Sequence, residues 1–149
     1  MQQTSWSTVG TENRLWVWQT CTQLGYFQDT DMPGVPFGNK IPISFYSDMC
    51  KDIFGPLFTS DYISQGVDAT NAFYGGRSYT GTNVVLPNGS VDPWHALGLV
   101  SSPSNSTPAV YIQGTAHCSD MYPARAQDKP GLVMARTTID SNLGLWLRG

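Results

Sequence analysis

An aspartate and a histidine, each set just past a short apolar run and a glycine-containing turn, are the residues of this sequence best placed to do chemistry. Asp92 follows Asn83-Val84-Val85-Leu86-Pro87-Asn88-Gly89-Ser90-Val91, and His117 follows Ala109-Val110-Tyr111-Ile112-Gln113-Gly114-Thr115-Ala116. A carboxylate that fixes an imidazole tautomer, and an imidazole that takes a proton from a hydroxyl, are the acid and base of a hydrolytic triad. In α/β hydrolases the order along the chain is serine, acid, histidine, each on a loop after a strand. Asp92 and His117 fit the last two places, and the chain between them has room for one helical crossover and one strand. Structural roles compete for both: Asp92 before Pro93 is also a helix N-cap, and His117 is also a polar residue in a tight loop.

The nucleophile is harder to place. Gly76-Arg77-Ser78-Tyr79-Thr80 approximates a Gly-x-Ser-x-Gly elbow, but Thr80 stands where the final glycine is needed, and too little chain separates Ser78 from Asp92. His95 lies in the same first helical turn as Asp92, too local to serve an acid presented from another strand, so a capping or surface role is expected for it. A metal site from His95, His117 and Cys118 lacks recognised ligand spacing, and no cofactor is implied. The serine is therefore expected outside this chain.

Composition narrows the partners. Charged residues make up 13% of the 149 and the net charge is −3, so neither a nucleic-acid stripe nor a polybasic membrane patch is present. No apolar run reaches membrane-span length, and Met1-Gln2-Gln3-Thr4-Ser5-Trp6 is not a signal peptide. Asn88-Gly89-Ser90 and Asn105-Ser106-Thr107 are glycosylation acceptor patterns, which suit a secreted or lumenal protein. The cysteines Cys21, Cys50 and Cys118 fit no zinc spacing. In an oxidising compartment a Cys21–Cys50 bridge is expected, against the alternative of two unrelated buried thiols, and the pairing of Cys118 stays open. Together these features suggest the back end of a longer secreted protein.

Several elements must position Asp92 and His117. Residues 1–13 are polar and carry no expected regular structure, as in a linker or severed segment. Leu15-Trp16-Val17-Trp18-Gln19-Thr20 has the pattern of a strand covered on both sides. A long loop from Gly25 to Pro42 should pack Tyr26, Phe27, Val35 and Phe37. Phe45, Met49 and Ile53 mark an amphipathic helix capped by Ser44 and stopped at Gly55-Pro56. A second helix is expected over 59–72, with Ile63 and Val67 inward, ending at Tyr74-Gly75-Gly76. Asn83 to Leu86 should be a strand, Pro87-Asn88-Gly89 a turn, Ser101 to Thr107 a surface loop and Ala109 to Gln113 a strand. Ser119 should cap a brief helical turn, and Leu132, Ala135, Ile139, Leu143 and Trp146 mark a last helix opened by Pro130. The whole reads as α/β with three parallel strands and covering helices.

Two blocks carry a family resemblance: Asn88-Gly89-Ser90-Val91-Asp92-Pro93-Trp94-His95-Ala96-Leu97-Gly98, and Gly114-Thr115-Ala116-His117-Cys118-Ser119-Asp120-Met121. With Trp18-Gln19-Thr20-Cys21-Thr22-Gln23 and Tyr74-Gly75-Gly76, the chain resembles the serine peptidase family of lysosomal Pro-X carboxypeptidase, lysosomal prolyl dipeptidyl peptidase and thymus-specific serine protease. The thymus-specific branch is nearest. The resemblance implies the C-terminal part of an α/β-hydrolase fold over 14–149, with 14–72 bordering a helical lid, and with the nucleophile half and most of the lid elsewhere. It implies Asp92 as triad acid, His117 as triad base, a peptide substrate, and a secreted or lysosomal exopeptidase often acting beside proline. Gln23 departs from the Glu that relatives often carry. An esterase or lipase on the same fold, and a non-catalytic secreted glycoprotein, are the alternative readings.

Overall fold

The computed structural model of the protein describes residues 10–34, 36 and 38–148. The chain divides between Gly76 and Arg77 into two units, the first helical and the second α/β.

In the first unit the segment expected as a strand is a helix, α1 (Thr11–Gln19), continued by a π-helical turn, Thr20–Leu24. A short apolar run cannot be assigned by composition alone. What decides here is the buried line Val17, Thr20 and Cys21, spaced i, i+3, i+4, while Leu15, Trp16 and Trp18 remain largely exposed. Thr11 to Asn13, expected to be irregular, form the first helical turn, and the rest of 1–13, apart from Gly10, lies outside the described residues, as do Val35 and Phe37.

Helix α2 (Ile43–Phe54) starts two residues earlier than expected, with Pro42 rather than Ser44 at the cap position. The missing side-chain cap is supplied from the preceding loop: Asp31 Oδ2 accepts the Ile43 N–H at 3.0 Å. Its fully buried positions are Ser47 and Cys50, whereas Phe45, placed inward by the periodicity, faces out. Helix α3 (Ser60–Tyr74) is capped by Thr59, whose Oγ1 accepts the Tyr62 N–H at 3.2 Å, and stops at Gly75 in the left-handed conformation. Ile63 and Val67 point inward as expected.

A disulfide joins Cys21 in the π-helical turn to Cys50 in α2, with Cα atoms 5.8 Å apart and both residues fully buried. Val17 and Ile63 complete this core, and Phe27, Met49, Ile53, Phe54, Phe58 and Val67 pack against it. The π-helical turn and α3 approach so closely that a Cβ added at Gly66 would lie 2.0 Å from the Thr22 carbonyl oxygen. No side chain larger than hydrogen fits there.

With the first expected strand helical, the described residues hold two parallel strands rather than three, β1 (Leu86–Gly89) and β2 (Ala109–Ile112), both in the second unit and in the register Leu86↔Ala109 through Gly89↔Ile112. Strand β1 runs through Pro87-Asn88-Gly89, where a turn was expected. Proline is accommodated because Leu86 and Ser90 donate to Pro108 O and Ile112 O, so the nitrogen of Pro87 faces away from β2. Asn88 Nδ2 donates to the carbonyls of Leu86 and Leu99. Helix α4 (Pro130–Trp146) covers the sheet by packing Leu132 and Ala135 on Ile112, with Val110 beside them. Within the loop before β2, Thr107 is not a surface residue. It is 1% exposed, and its hydroxyl donates to Gly81 O at 2.7 Å.

Candidate active site

Asp92 and His117 meet because β1 and β2 are adjacent, parallel and in register, so their exit loops leave the same end of the sheet. The two loops are tied directly. Val91 N–H donates to Thr115 O at 3.0 Å, and Gly114 N–H to Ser90 Oγ at 2.7 Å. Gly89 is required by this approach rather than by a turn: a Cβ there would lie 2.5 Å from Thr115 O and 2.6 Å from Ala116 O. Two sequence-adjacent features, Gly89 and Ser90, thus set the distance between acid and imidazole.

Asp92 precedes a 3-10 turn, Pro93–Ala96, as its N-cap, and Oδ1 accepts the Trp94 N–H at 3.0 Å. Its other oxygen, Oδ2, lies 2.6 Å from His117 Nδ1. The capping and relay readings are therefore compatible, since each uses a different carboxylate oxygen. Asp92 is 8% exposed. Burial alone would favour its neutral form, but the hydrogen bond from His117, the Trp94 N–H and the charge of His117 and His95 outweigh it and hold the carboxyl below the ordinary carboxylate range. An ionised carboxylate can only accept, so Nδ1 of His117 donates to it, and in the neutral form of the ring Nε2 is left with its lone pair. The His117 side chain is 57% exposed. A buried acid that holds an accessible imidazole in one tautomer leaves the other ring nitrogen able to accept a proton.

This imidazole and the Trp94 indole meet edge to face, with ring centroids 5.0 Å apart and planes at 77°. Trp94 was not singled out from the sequence, although it lies two residues after Asp92 on the turn that the Asp-Pro pair announces. His95 faces elsewhere. Its Nδ1 donates to the Asp92 backbone carbonyl at 2.6 Å and its ring lies near Tyr111, which agrees with a local capping role. Ser78 lies exposed in a short 3-10 turn, Gly76–Ser78, and not at the end of a strand.

Cys118 is unpaired, adopts the left-handed conformation at φ 55° and caps the 3-10 turn Ser119–Met121, the position expected of Ser119. Burial, then Asp120 and Asp92, push its thiol pKa up, so it is a poor nucleophile. Among the described residues no three His, Cys, Asp or Glu side chains gather as metal ligands, and no helix is long and apolar enough to cross a membrane. Of the two acceptor asparagines, Asn105 is exposed in its loop. The Asn88 amide nitrogen donates to the carbonyls of Leu86, in β1, and Leu99, outside it. A cavity of about 350 Å³ opens beside the turn after His117, lined by Ser119, Tyr122, Arg125, Asp128 and Leu132 among others.

Comparison with known proteins places this geometry in a family. Residues 1–139 match the model of the serine carboxypeptidase S28 family. A Caenorhabditis elegans protein named as a serine protease is 48% identical over 141 residues, 91% of this chain and 28% of that protein. The thymus-specific serine protease of Mus musculus is 36% identical over 139 residues, 93% of this chain and 27% of that protein. Lysosomal Pro-X carboxypeptidase of Pongo abelii is 26% identical over 149 residues, 99% of this chain and 28% of that protein. The chain spans about a quarter of the length of these curated relatives. With the matched region covering both β1 and β2 and the loops that carry Asp92 and His117, the chain belongs to the S28 family of serine peptidases.

Proposed function

We propose that this chain supplies the acid and base of a serine-type exopeptidase, Asp92 orienting His117 and His117 activating a serine carried on a part of the α/β-hydrolase domain outside this chain. The observation that carries the reading is the 2.6 Å hydrogen bond from His117 Nδ1 to the buried Asp92 carboxylate, with the imidazole open to solvent. In the reaction the serine oxygen attacks the peptide carbonyl as its proton passes to His117 Nε2. The tetrahedral intermediate collapses to an acyl-enzyme, and the imidazolium returns that proton to the leaving amine. Water then repeats the sequence, giving up a proton to His117 and releasing the acid and the serine hydroxyl. Throughout, Asp92 stays ionised and stabilises the transient imidazolium.

The family's description as carboxypeptidases and the Pro-X carboxypeptidase among the relatives support a peptide substrate cleaved near a chain end, with proline beside the scissile bond. A secreted or lysosomal setting is supported by the buried Cys21–Cys50 bridge and by the lysosomal relative, and Asn105 is the acceptor accessible to a glycan. The test is turnover by a polypeptide of the relatives' full length that carries this chain's residues. Proline-containing peptides should be hydrolysed in preference to simple esters, and His117→Ala should lower kcat on the order of 10³-fold or more. Ester preference would favour the esterase reading, and turnover undiminished in His117→Ala would remove the relay.

A further inference from the structure

Arg136 has no part in the relay described above, yet it holds the backbone that leads out of His117. Its guanidinium, on α4, donates from Nε to Asp120 O at 3.1 Å, and from Nη2 to Ser119 O at 3.1 Å and Tyr122 O at 2.9 Å. Nη1 donates to Asp128 Oδ2 at 2.7 Å. That same oxygen accepts the Arg125 N–H at 2.8 Å, so one carboxylate closes both ends of the clasp. Both side chains are mostly shielded, at 18% and 13% exposure. A planar fork of fixed donors suits several acceptors at once in a way that a lysine ammonium does not.

Between His117 and the clasped turn stands Cys118, a non-glycine residue at φ 55°. Such a conformation persists only where its surroundings enforce it. At its other end the clasp is anchored to the sheet that carries the site: α4 packs Leu132 and Ala135 on Ile112, and Lys129 Nζ donates to Gly114 O at 2.7 Å. A continuous path thus runs from β2 through α4 and Arg136 back to Ser119, two residues after His117. Since the imidazole is more than half exposed, packing on the ring itself is limited, and its aim depends on its backbone.

We propose that Arg136 is a positioning residue, clasping the turn after His117 so that the imidazole keeps Nδ1 on Asp92. Its functional meaning rests on the reading of His117 as the base. The test reads geometry separately from activity. The 15N shifts of the two ring nitrogens of neutral His117 report its tautomer, and a ring released into water favours the Nε2–H form. The chain should show the Nδ1–H form. Arg136→Met should shift the ring to a mixture dominated by Nε2–H, with Arg136→Lys intermediate because it retains the charge beside Asp128 but reaches fewer carbonyls. If the amide spectrum shows that Arg136→Met does not fold, Arg136→Lys and Asp128→Asn decide by the same readout. An Nδ1–H ring unchanged in the folded variants, or absent from the unaltered chain, would overturn the proposal. Loss of the tautomer in the Arg136 variants, with full-length turnover insensitive to His117→Ala, would instead uphold the clasp and remove the relay.

Discussion

Asp92 performs two tasks with two oxygens, and the distinction can be tested. Asp92→Asn keeps an oxygen to cap the Trp94 N–H but presents a neutral amide to His117, which no longer enforces the Nδ1–H tautomer. In a full-length protein the expected loss of kcat is on the order of 10³–10⁴-fold. Acid should act on Asp92 and on Asp128. Both Asp92 and Asp128 have carboxyl pKa values below the ordinary range; for Asp92 burial opposes the shift and hydrogen bonds prevail, and for Asp128 the bond from Arg136 leads. A group depressed in the folded state stabilises it fully above its unfolded value, about 3.9, and loses that contribution as pH falls through the folded value. Thermal unfolding followed down from about pH 5 should therefore show the α/β unit weakening below about pH 4, and Asp92→Asn should flatten that limb. Gly89→Ala should separate the acid from the base by forcing Thr115 and Ala116 away, a loss of activity with Asp92 and His117 both intact.

Among the elements, the helical unit depends on its bridge. Cross-linking Cys21 to Cys50 closes a loop with a sequence separation of 29. Replacing both by alanine should destabilise that unit by about 3–4 kcal/mol in denaturant titration, as loop-closure entropy returns to the unfolded chain. Thr59→Ala should cost about 1 kcal/mol through the lost cap of α3. The sequence made α2, α3, α4 and β2 legible, because periodic apolar residues stop at Gly55 in α2 and Gly75 in α3 and follow Pro130 in α4, and β-branched residues mark the strand. It misled at α1, whose buried line includes polar Thr20 and so shows no apolar helical period, while its exposed tryptophans imitate a covered strand. It misled again at Pro87-Asn88-Gly89, where turn-forming residues serve other ends. Asn88 bridges two carbonyls, and Gly89 admits the loop that carries His117. At the site, Asp92 and His117 could be named from spacing and family wording. Arg136 could not, because the backbone carbonyls that it gathers leave no trace in side-chain pattern.

At the scale of the whole molecule, an acid and a base are assembled within one α/β unit, while the chain spans 26–28% of the first relatives it matches. The contact between Asp92 and His117 is made within that unit, and the proposed function assigns the nucleophile to a part of the protein outside this chain. Covalent labelling by a fluorophosphonate tests this division most directly, because the reagent reports a serine only when an imidazole activates it. A full-length protein carrying these residues should label, the corresponding His117→Ala protein should not, and this chain by itself should remain unlabelled. Undiminished labelling of the His117→Ala protein would contradict the account.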